Sequence, residues 1–199
     1  MQTTTVMEKH PLLKELQSKH DFSEADFEKL LPLYEERSYK KNEMVFKAGD
    51  VVKYVFFILQ GCFRQFYINA NGTERTIYIM EEGRWTGESL SFLNELPTNM
   101  NLQALEDCTV LAMTKSNMEF ALRNIPEYAM YHMKNHHRMI AWLKEQLGAA
   151  VTEKPDELYR RLVKEKPHLL QRLPQYEIAK YLGVTPETLS RIRKRNTKL

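Results

Sequence analysis

Residues 175–194 read QYEIAKYLGVTPETLSRIRK, and this stretch decides the architecture expected for the chain. Its first half predicts a short helix, because Ile178, Ala179 and Leu182 recur at helical spacing and form one apolar face. Gly183 follows where the chain must turn, and a residue without Cβ adopts a left-handed conformation at little cost. We therefore expect a helix that ends in a tight turn at Gly183.

A second helix is predicted directly after this turn. Val184 fills the turn, Thr185 is suited to cap the helix, and Pro186 fits its first position. Leu189 and Ile192 then face back toward the first helix. This spacing predicts a helix-turn-helix, whose second helix would enter the major groove of DNA. The alternative is a helical hairpin that only caps the protein.

The exposed side of the second helix carries the residues expected to contact DNA. Arg191 can donate two hydrogen bonds to guanine, and Glu187 can accept one from a cytosine amino group. The basic end of the helix is suited to phosphates, with Lys198 as a further candidate. The candidate DNA-binding residues are Thr185, Glu187, Thr188, Ser190, Arg191, Arg193, Lys194 and Arg195.

Charge and composition agree with a DNA-binding C-terminal part. Residues 152–199 carry 12 Lys or Arg and six Asp or Glu, whereas the whole chain has a net charge of only +3. A basic end on an acidic body favours contact with a polyanion. No apolar run is long enough to span a membrane, and the polar N-terminal residues are not expected to form a signal peptide. Cys62 and Cys108 are interpreted as small buried residues in a reducing cytoplasm.

Residues 37–114 predict a β-rich domain. Short β-branched and aromatic runs alternate with turn residues, and Asn71-Gly72 between two such runs is typical of a hairpin. Many short strands at regular spacing favour a jelly-roll or barrel. Helices are expected before them, one around Leu12, Leu13 and Leu16 and one capped by Ser23.

Helices return after the strands. Residues 116–119 predict a capping box, and Pro126 starts a long helix that runs to about Ala150. Gly148 and residues 153–156 are expected to form a hinge. Apolar residues along this helix follow a heptad seam suited to a partner helix. The predicted dimer interface consists of Met133, His136, Ile140, Leu143 and Leu147, continued by Ala150.

A different interpretation of the seam is that it packs on its own β-domain. A second stripe of Tyr128, Met139 and Trp142 is available for that role, which leaves the first stripe to pair two chains.

Across these segments the chain resembles the Crp/Fnr family of bacterial regulators. The similar segments are FFILQG (residues 56–61), NGTE (71–74), GRWTGES (83–89) and the C-terminal motif. The resemblance implies a cyclic-nucleotide-binding β-roll, base-reading roles for Glu187 and Arg191, and RNA polymerase as a candidate partner. Where members often have Arg, this chain has Pro186, so the family's usual half-site is not expected unchanged. Members usually also have a β-wing, and we expect none in full before Leu199.

The sensor site departs from the family members that bind cyclic AMP. Gly87-Glu88 matches the start of their cassette, but residues 96–100 read LPTNM and contain no Arg. A phosphate without an Arg loses its bidentate, charge-assisted contact, so tight cyclic AMP binding is not expected. The pocket is expected to take another, unidentified small-molecule effector or to be vestigial. Its candidate residues are Trp85, Gly87, Glu88, Ser89, Thr98 and Asn99.

Other chemistries are not favoured. His132 and His136 share a helix face with no third ligand spaced nearby, so a structural or interfacial role is favoured over a metal site. Ser89 and Ser91 lie near Glu88 without a His placed beside them, and no phosphate-binding glycine motif occurs. An N-terminal cysteine cluster for an iron–sulfur centre is missing from the sequence. An enzyme is therefore the least favoured class.

These observations predict an α+β protein in three parts. Residues 1–125 form a double-stranded β-helix (jelly-roll) sensor domain, residues 126–151 a dimerisation helix, and residues 152–199 a helix-turn-helix domain. The expected function is a cytoplasmic, homodimeric regulator that binds palindromic double-stranded DNA. The alternative is a small-molecule sensor whose helical C-terminal domain contacts a protein partner.

Overall fold

The computed structural model describes residues 10–196 of the 199-residue chain. These residues divide into two compact units, each described separately below. The first contains residues 10–63 and 80–140, and the second contains residues 64–79 and 141–196. The three-part division expected from the sequence stays a prediction.

Two short helices open the first unit, as the sequence predicted. Helix α1 (Pro11–Gln17) buries Leu12, Leu13 and Leu16 on one face. Helix α2 (Glu24–Leu30) begins where the Ser23 hydroxyl accepts a hydrogen bond from the Asp26 amide, 3.1 Å away. That bond satisfies one of the amide donors left unpaired at a helix start. A single 3-10 turn, Leu31–Leu33, follows.

Eight strands form the predicted antiparallel β-roll, in two four-stranded sheets. Their bounds are β1 (Glu35–Tyr39), β2 (Met44–Phe46), β3 (Tyr54–Gln60), β4 (Phe63–Ile68), β5 (Glu74–Met80), β6 (Trp85–Thr86), β7 (Asn101–Ala104) and β8 (Cys108–Thr114). In the first sheet, β3 lies between β6 and β8, and β1 pairs with the other edge of β8. In the first unit β2 also pairs with β7.

The middle of strand β3 is buried on both faces. Phe56, Phe57 and Ile58 are consecutive and all buried, which means that both faces of the strand are covered. Polar–apolar alternation is therefore absent there, as expected for a central strand rather than a half-exposed one.

The turn after β3 requires glycine. Gly61 has φ +97°, a conformation that side chains rarely adopt. A Cβ built on Gly61 would overlap the Sγ atom of Cys108 and lie 2.9 Å from the carbonyl oxygen of Asp107. The close approach of these two segments therefore depends on a residue without a side chain.

Helix α3 (Ser89–Asn94) follows β6, and helix α4 (Lys115–Asn124) follows β8. The capping box predicted at residues 116–119 was wrong by two residues. The Thr114 hydroxyl, at the end of β8, accepts the hydrogen bond from the Asn117 amide at 3.2 Å. Thr114 is the last residue of β8 and therefore lies at the start of the helix. Its hydroxyl is as suitable a cap as the hydroxyl of Ser116.

Helix α5 (Pro126–Thr152) is the predicted long helix. The second stripe expected to pack on the β-domain was only partly correct. Tyr128 is buried, and Trp142 is 44% exposed but its ring contacts Tyr78 of β5. Met139 is exposed, and the residue that joins Tyr128 in the core of the first unit is Tyr131. Side chains three residues apart share a helix face, so Tyr128 and Tyr131 present one continuous aromatic surface.

The second unit combines a hairpin with the C-terminal helices. Strands β4 and β5 form the hairpin predicted at Asn71-Gly72. The helices are α6 (Pro155–Glu165), α7 (Leu169–Arg172), α8 (Gln175–Leu182) and α9 (Pro186–Asn196). Gly148 is not a hinge in itself: α5 continues through it, and the Thr152 hydroxyl donates to its carbonyl. The break falls at residues 153–154, just before a proline that starts α6.

Helices account for all the regular structure described from residue 153 to residue 196, and no β-wing occurs within that range. None of the helices between residues 10 and 196 is long and apolar enough to cross a membrane.

Candidate nucleic-acid interface and sensor site

The turn of the helix-turn-helix has the predicted geometry. Gly183 adopts φ +66° after α8, and the Val184 amide donates to the Ala179 carbonyl at 3.0 Å, closing the end of that helix. Helix α9 begins two residues later, where the Thr185 hydroxyl accepts from the Thr188 amide at 3.3 Å. Pro186 occupies the first helical position, where its missing amide hydrogen leaves no donor unpaired.

The two helices are held together by the apolar face read from the sequence. Leu189 and Ile192 of α9 are buried, as are the three predicted core residues of α8. Tyr159 and Leu162 of α6 are buried in the same unit, and α6 contacts both α8 and α9. Two helices, α6 and α8, therefore fix the orientation of α9 within the second unit, and its remaining face is free to carry function.

That remaining face exposes the two predicted base-reading residues. Glu187 and Arg191 are exposed, while Thr188 and Ser190 are half-buried beside them. A hydrogen bond from the Thr185 side chain, with a smaller contribution from Arg191, lowers the pKa of Glu187. Its carboxylate is thus ionised at neutral pH and can only accept hydrogen bonds, as contact with a cytosine amino group would require.

The basic end of α9 is not uniformly available to phosphate. Both Nη2 contacts of Arg195 go to the Asp156 carboxylate, with Oδ1 and Oδ2 each at 3.0 Å. Arg193 is exposed, and it also lines a small cleft with Tyr159 and Leu189. Lys194 is exposed. Lys198, the further phosphate candidate, lies outside the described residues.

The residues proposed for the effector pocket have several separate structural roles. Glu88 caps α3: its two carboxylate oxygens accept from the Leu90 amide at 3.0 Å and the Ser91 amide at 2.8 Å. Gly87, at φ +143°, lies against β3, since a Cβ there would be 3.4 Å from the Cα of Val55. Ser89 is exposed.

The other three members lie elsewhere in the first unit. Trp85 packs on Phe57, with ring centroids 5.3 Å apart, and its indole donates to the Tyr131 hydroxyl at 2.7 Å. Thr98 is buried beside Gly49 and accepts a hydrogen bond from the Met100 amide at 3.1 Å. Asn99 is exposed. Gly87, Glu88 and Ser89 therefore lie together because they are consecutive in the sequence. A common pocket for all six residues remains a prediction.

A cavity of about 370 Å³ in the first unit has a different lining. It lies between β1 and the start of β3, beside the Arg37 guanidinium, which stacks on the Tyr54 ring at 3.8 Å from its centroid. None of the six predicted effector residues lines it.

An aromatic cluster surrounds the first half of α5, and it was not predicted from the sequence. The Tyr131 hydroxyl accepts from Trp85 and donates to Glu15 at 3.1 Å, and Glu15 forms an ion pair with Lys19. The His132 ring packs edge-on against Tyr128, with centroids 4.6 Å apart. The spacing of Tyr128, Tyr131 and His132 was a usable signal, because residues three and four apart share a helix face.

Burial governs the protonation of this cluster. It lowers the pKa of His132 to about 4, with a smaller contribution from His136, and raises the pKa values of Tyr128 and Tyr131. The imidazole of His132 is thus neutral at neutral pH. Among residues 10–196, no three His, Cys, Asp or Glu side chains are grouped so that they could hold a metal ion.

Comparison with known proteins identifies the architecture. A family model described as the cyclic nucleotide-binding domain matches residues 36–124. The chain is 24% identical over 184 residues to the cyclic AMP receptor protein of Thermus thermophilus, covering 87% of this chain and 82% of that protein. It is 23% identical over 169 residues to a probable transcriptional regulator, flp, of Lacticaseibacillus casei, covering 82% and 76% of the two chains. The chain is therefore similar over most of its length to these two proteins, in agreement with its resemblance to Crp/Fnr regulators.

A solved structure of a similar protein has the same fold. A mutant of CooA from Carboxydothermus hydrogenoformans matches with a TM-score of 0.68 and 20% identity, over 92% of this chain and 83% of that one. The roll, long helix and C-terminal helical domain are therefore the Crp/Fnr fold, as the sequence resemblance implied. The likeness at this level of identity extends to the fold and not to the ligand.

Proposed function

We propose that this protein is a regulator of the Crp/Fnr type, a cytoplasmic homodimer that binds palindromic double-stranded DNA and regulates transcription, with RNA polymerase as a candidate partner. The observation that carries the proposal is the exposed pair Glu187 and Arg191 on the first turns of α9, held by a closed helix-turn-helix. The Arg191 guanidinium can donate two hydrogen bonds to a guanine, and the ionised Glu187 carboxylate can accept one from a cytosine amino group. Together they complement the major-groove edge of a sequence that contains both bases. Two such helices would read half-sites about 34 Å apart.

The seam of α5 supports the homodimer. Met133, Ile140 and Leu147 are 46%, 48% and 67% exposed in the single chain. His136 is exposed and Leu143 is half-buried. Apolar side chains spaced by threes and fours on a 27-residue helix are typical of a surface covered by a second helix.

The sensor site supports a regulator that does not respond to cyclic AMP. Both carboxylate oxygens of Glu88 already accept backbone amides, so a ribose hydroxyl would have to share them. No Arg lies between Arg84 and Arg123 to hold a cyclic phosphate. We propose that the effector, where one exists, is a different small molecule.

Selection from a random duplex library, followed by titration across salt concentrations, tests the DNA-binding function. Wild type is expected to enrich a palindrome, and Arg191→Ala is expected to relax one position in each half-site and cost about 1–3 kcal/mol. Arg160→Ala, which removes the same charge from an exposed position of α6, is the matched control and should keep the sequence preference.

Two results would count against the proposal. No enriched sequence, with or without a pool of metabolites, would favour a sensor module whose C-terminal helices contact a protein. Equal losses in Arg191→Ala and Arg160→Ala would show that Arg191 contributes only charge.

A further inference from the structure

The β4–β5 hairpin and the helix-turn-helix share a cluster of four charged side chains within the second unit. Arg64 of β4 donates to Glu74 of β5 at 2.7 Å, and Lys180 of α8 binds the same Glu74 oxygen at 2.7 Å. Glu177 of α8 completes the set, 3.5 Å from Arg64 and 3.6 Å from Lys180. We call these four residues the hairpin cluster. Two positive and two negative charges alternate in it, so it is neutral as a whole.

The centre of the hairpin cluster is buried. The side chains of Arg64 and Glu177 are only 4% and 5% exposed, whereas Glu74 and Lys180 form a half-exposed rim. Burial raises the pKa of Glu74, but hydrogen bonds from Lys180 and Arg64 outweigh it and lower the pKa overall. Glu74 is therefore ionised at neutral pH. The two buried side chains, Arg64 and Glu177, contact each other between the hairpin and α8, and each also has an oppositely charged partner on its own element.

Two further contacts tie the same hairpin to its surroundings in this unit. The Arg75 guanidinium lies over Gly183, where any Cβ would overlap it, so the hairpin covers the turn of the helix-turn-helix. The Tyr78 ring contacts Trp142 on the second half of α5, with centroids 5.4 Å apart. One hairpin thus touches the long helix, the first helix of the motif and its turn.

We propose that the hairpin cluster is a latch that holds the helix-turn-helix in its DNA-binding orientation. This inference rests on the proposed DNA-binding function and adds a means of controlling it. A buried ion pair gains little net stability, because the cost of removing the charges from water nearly cancels their attraction. A small change in free energy is therefore enough to open or close such a contact, while its geometry when closed is specific.

The latched arrangement leaves the DNA-reading face open. Glu187 and Arg191 are exposed while α8 is held, so the hairpin does not cover the recognition residues. Arg75 also adds a positive charge beside the turn, where DNA phosphates approach a helix-turn-helix. The closed latch is therefore the binding-competent state, and its opening frees α8 and α9 to reorient, which weakens DNA binding by loss of preorganisation. The hairpin strands continue along the chain into the first unit through Phe63 and Met80.

Amide hydrogen exchange in the full-length protein tests the latch without reference to DNA. Glu177→Gln and Arg64→Gln are each expected to speed exchange of the amides of residues 175–184 by about tenfold, because each removes the buried contact between β4 and α8 and leaves the remaining buried charge with one partner fewer. The double variant is expected to add little to either single change, since both remove the same interaction. Glu165→Gln, the same change on an exposed carboxylate of α6, should leave these amides unaltered. Unchanged exchange in both single variants, or multiplicative effects in the double variant, would overturn the latch.

A milder variant covers the case in which Glu177→Gln does not fold. Lys180→Gln alters only the half-exposed rim and is expected to speed exchange of the same amides by a smaller factor; no change would overturn the proposal. DNA affinity is the second arm: with the selected duplex, Glu177→Gln should bind about tenfold more weakly than Glu165→Gln. Equal or tighter binding would overturn the role of the latch in DNA recognition. If wild type selects no duplex, the proposed function itself fails, and the exchange data still decide whether the cluster holds the motif.

Discussion

The indole Nε1 of Trp85 donates a hydrogen bond to the Tyr131 hydroxyl, with 2.7 Å between the two atoms. This bond joins β6 to α5 inside the first unit, and the same hydroxyl donates to Glu15 of α1. Three elements that are distant in the sequence therefore meet at one oxygen atom.

Replacing Tyr131 by Phe removes that oxygen and keeps the ring. The Trp85 donor is then left unpaired in a largely buried place, and we expect a loss of about 1–3 kcal/mol in the free energy of unfolding. Urea unfolding followed by tryptophan fluorescence measures it. Tyr176→Phe, on an exposed ring, is the control and should change stability by less than about 0.5 kcal/mol. Equal losses in the two variants would mean that the hydroxyl of Tyr131 has no special role.

His132 should make the protein less stable in acid. Burial holds its pKa at about 4, below the value of about 6.5 expected in the unfolded chain. Between these values the unfolded state binds more protons, so the contribution of His132 is complete above pH 6.5 and is lost as pH falls toward 4. Its full size is on the order of 2–3 kcal/mol.

The pH dependence of urea unfolding tests this assignment. His132→Gln is expected to flatten the decline between pH 6.5 and pH 4, whatever its effect on stability at pH 7. His137→Gln removes an exposed imidazole from the same helix and should leave the slope as in wild type. A slope unaltered by His132→Gln would assign the acid sensitivity to other groups.

Two glycines with nearly the same φ allow steric cost to be separated from backbone cost. Gly61 has φ +97° and Gly49 has φ +99°, but only Gly61 has neighbours within 4 Å of a built Cβ. Alanine at either position strains the backbone by about 1–2 kcal/mol. Gly61→Ala is expected to lose about 1–3 kcal/mol more, because Cys108 and the Asp107 carbonyl must move. Thermal and urea unfolding of the two variants should show this difference, and similar values would mean that the neighbouring strands adjust freely.

A charge on the seam of α5 should separate the proposed dimer. Ile140→Glu places a carboxylate where a partner helix would pack, and sedimentation is expected to show a monomer that binds the selected duplex weakly. Arg138→Glu changes an exposed residue of the same helix outside the seam and should remain dimeric. If Ile140→Glu stays a dimer, the two chains associate through another surface.

Micromolar cyclic AMP should not stabilise the protein. Without an arginine for the phosphate, and with Glu88 engaged as a helix cap, we expect a shift in Tm within about 1 °C. A thermal-shift titration with cyclic AMP, and with 5′-AMP as the control nucleotide, measures this. A large, saturable rise with cyclic AMP alone would contradict the expectation and place a phosphate-binding group elsewhere in the roll.

Features fixed by neighbouring residues were predictable from the sequence. The turn at Gly183, the cap at Thr185 and the buried Ile192 are all as expected, because each depends on the conformation of a few adjacent residues. The cap of α4 was misplaced since Thr114 and Ser116 offer the same hydroxyl, and only the end of β8 selects between them.

Features that depend on distant segments were not predictable. The partner of Glu177 is Arg64, on a strand far from it in the sequence, and no local pattern distinguishes that arginine from a solvated one. The exposure of Met139 was missed for the related reason that an apolar stripe shows which residues share a helix face but not what covers that face. The predicted effector residues share this weakness, because a pocket is a property of the folded roll.

The buried positions of Cys62 and Cys108 have a practical consequence. Both are free thiols sealed beneath the Gly61 turn, and burial raises the pKa of Cys108 to about 11, so little reactive thiolate is present at neutral pH. They are the only two cysteines in the chain. A cysteine introduced on the surface of α9 can therefore be coupled selectively to a maleimide fluorophore in the native protein, without first replacing the natural pair. Energy transfer between two such dyes in one dimer would then report the spacing of the recognition helices in solution.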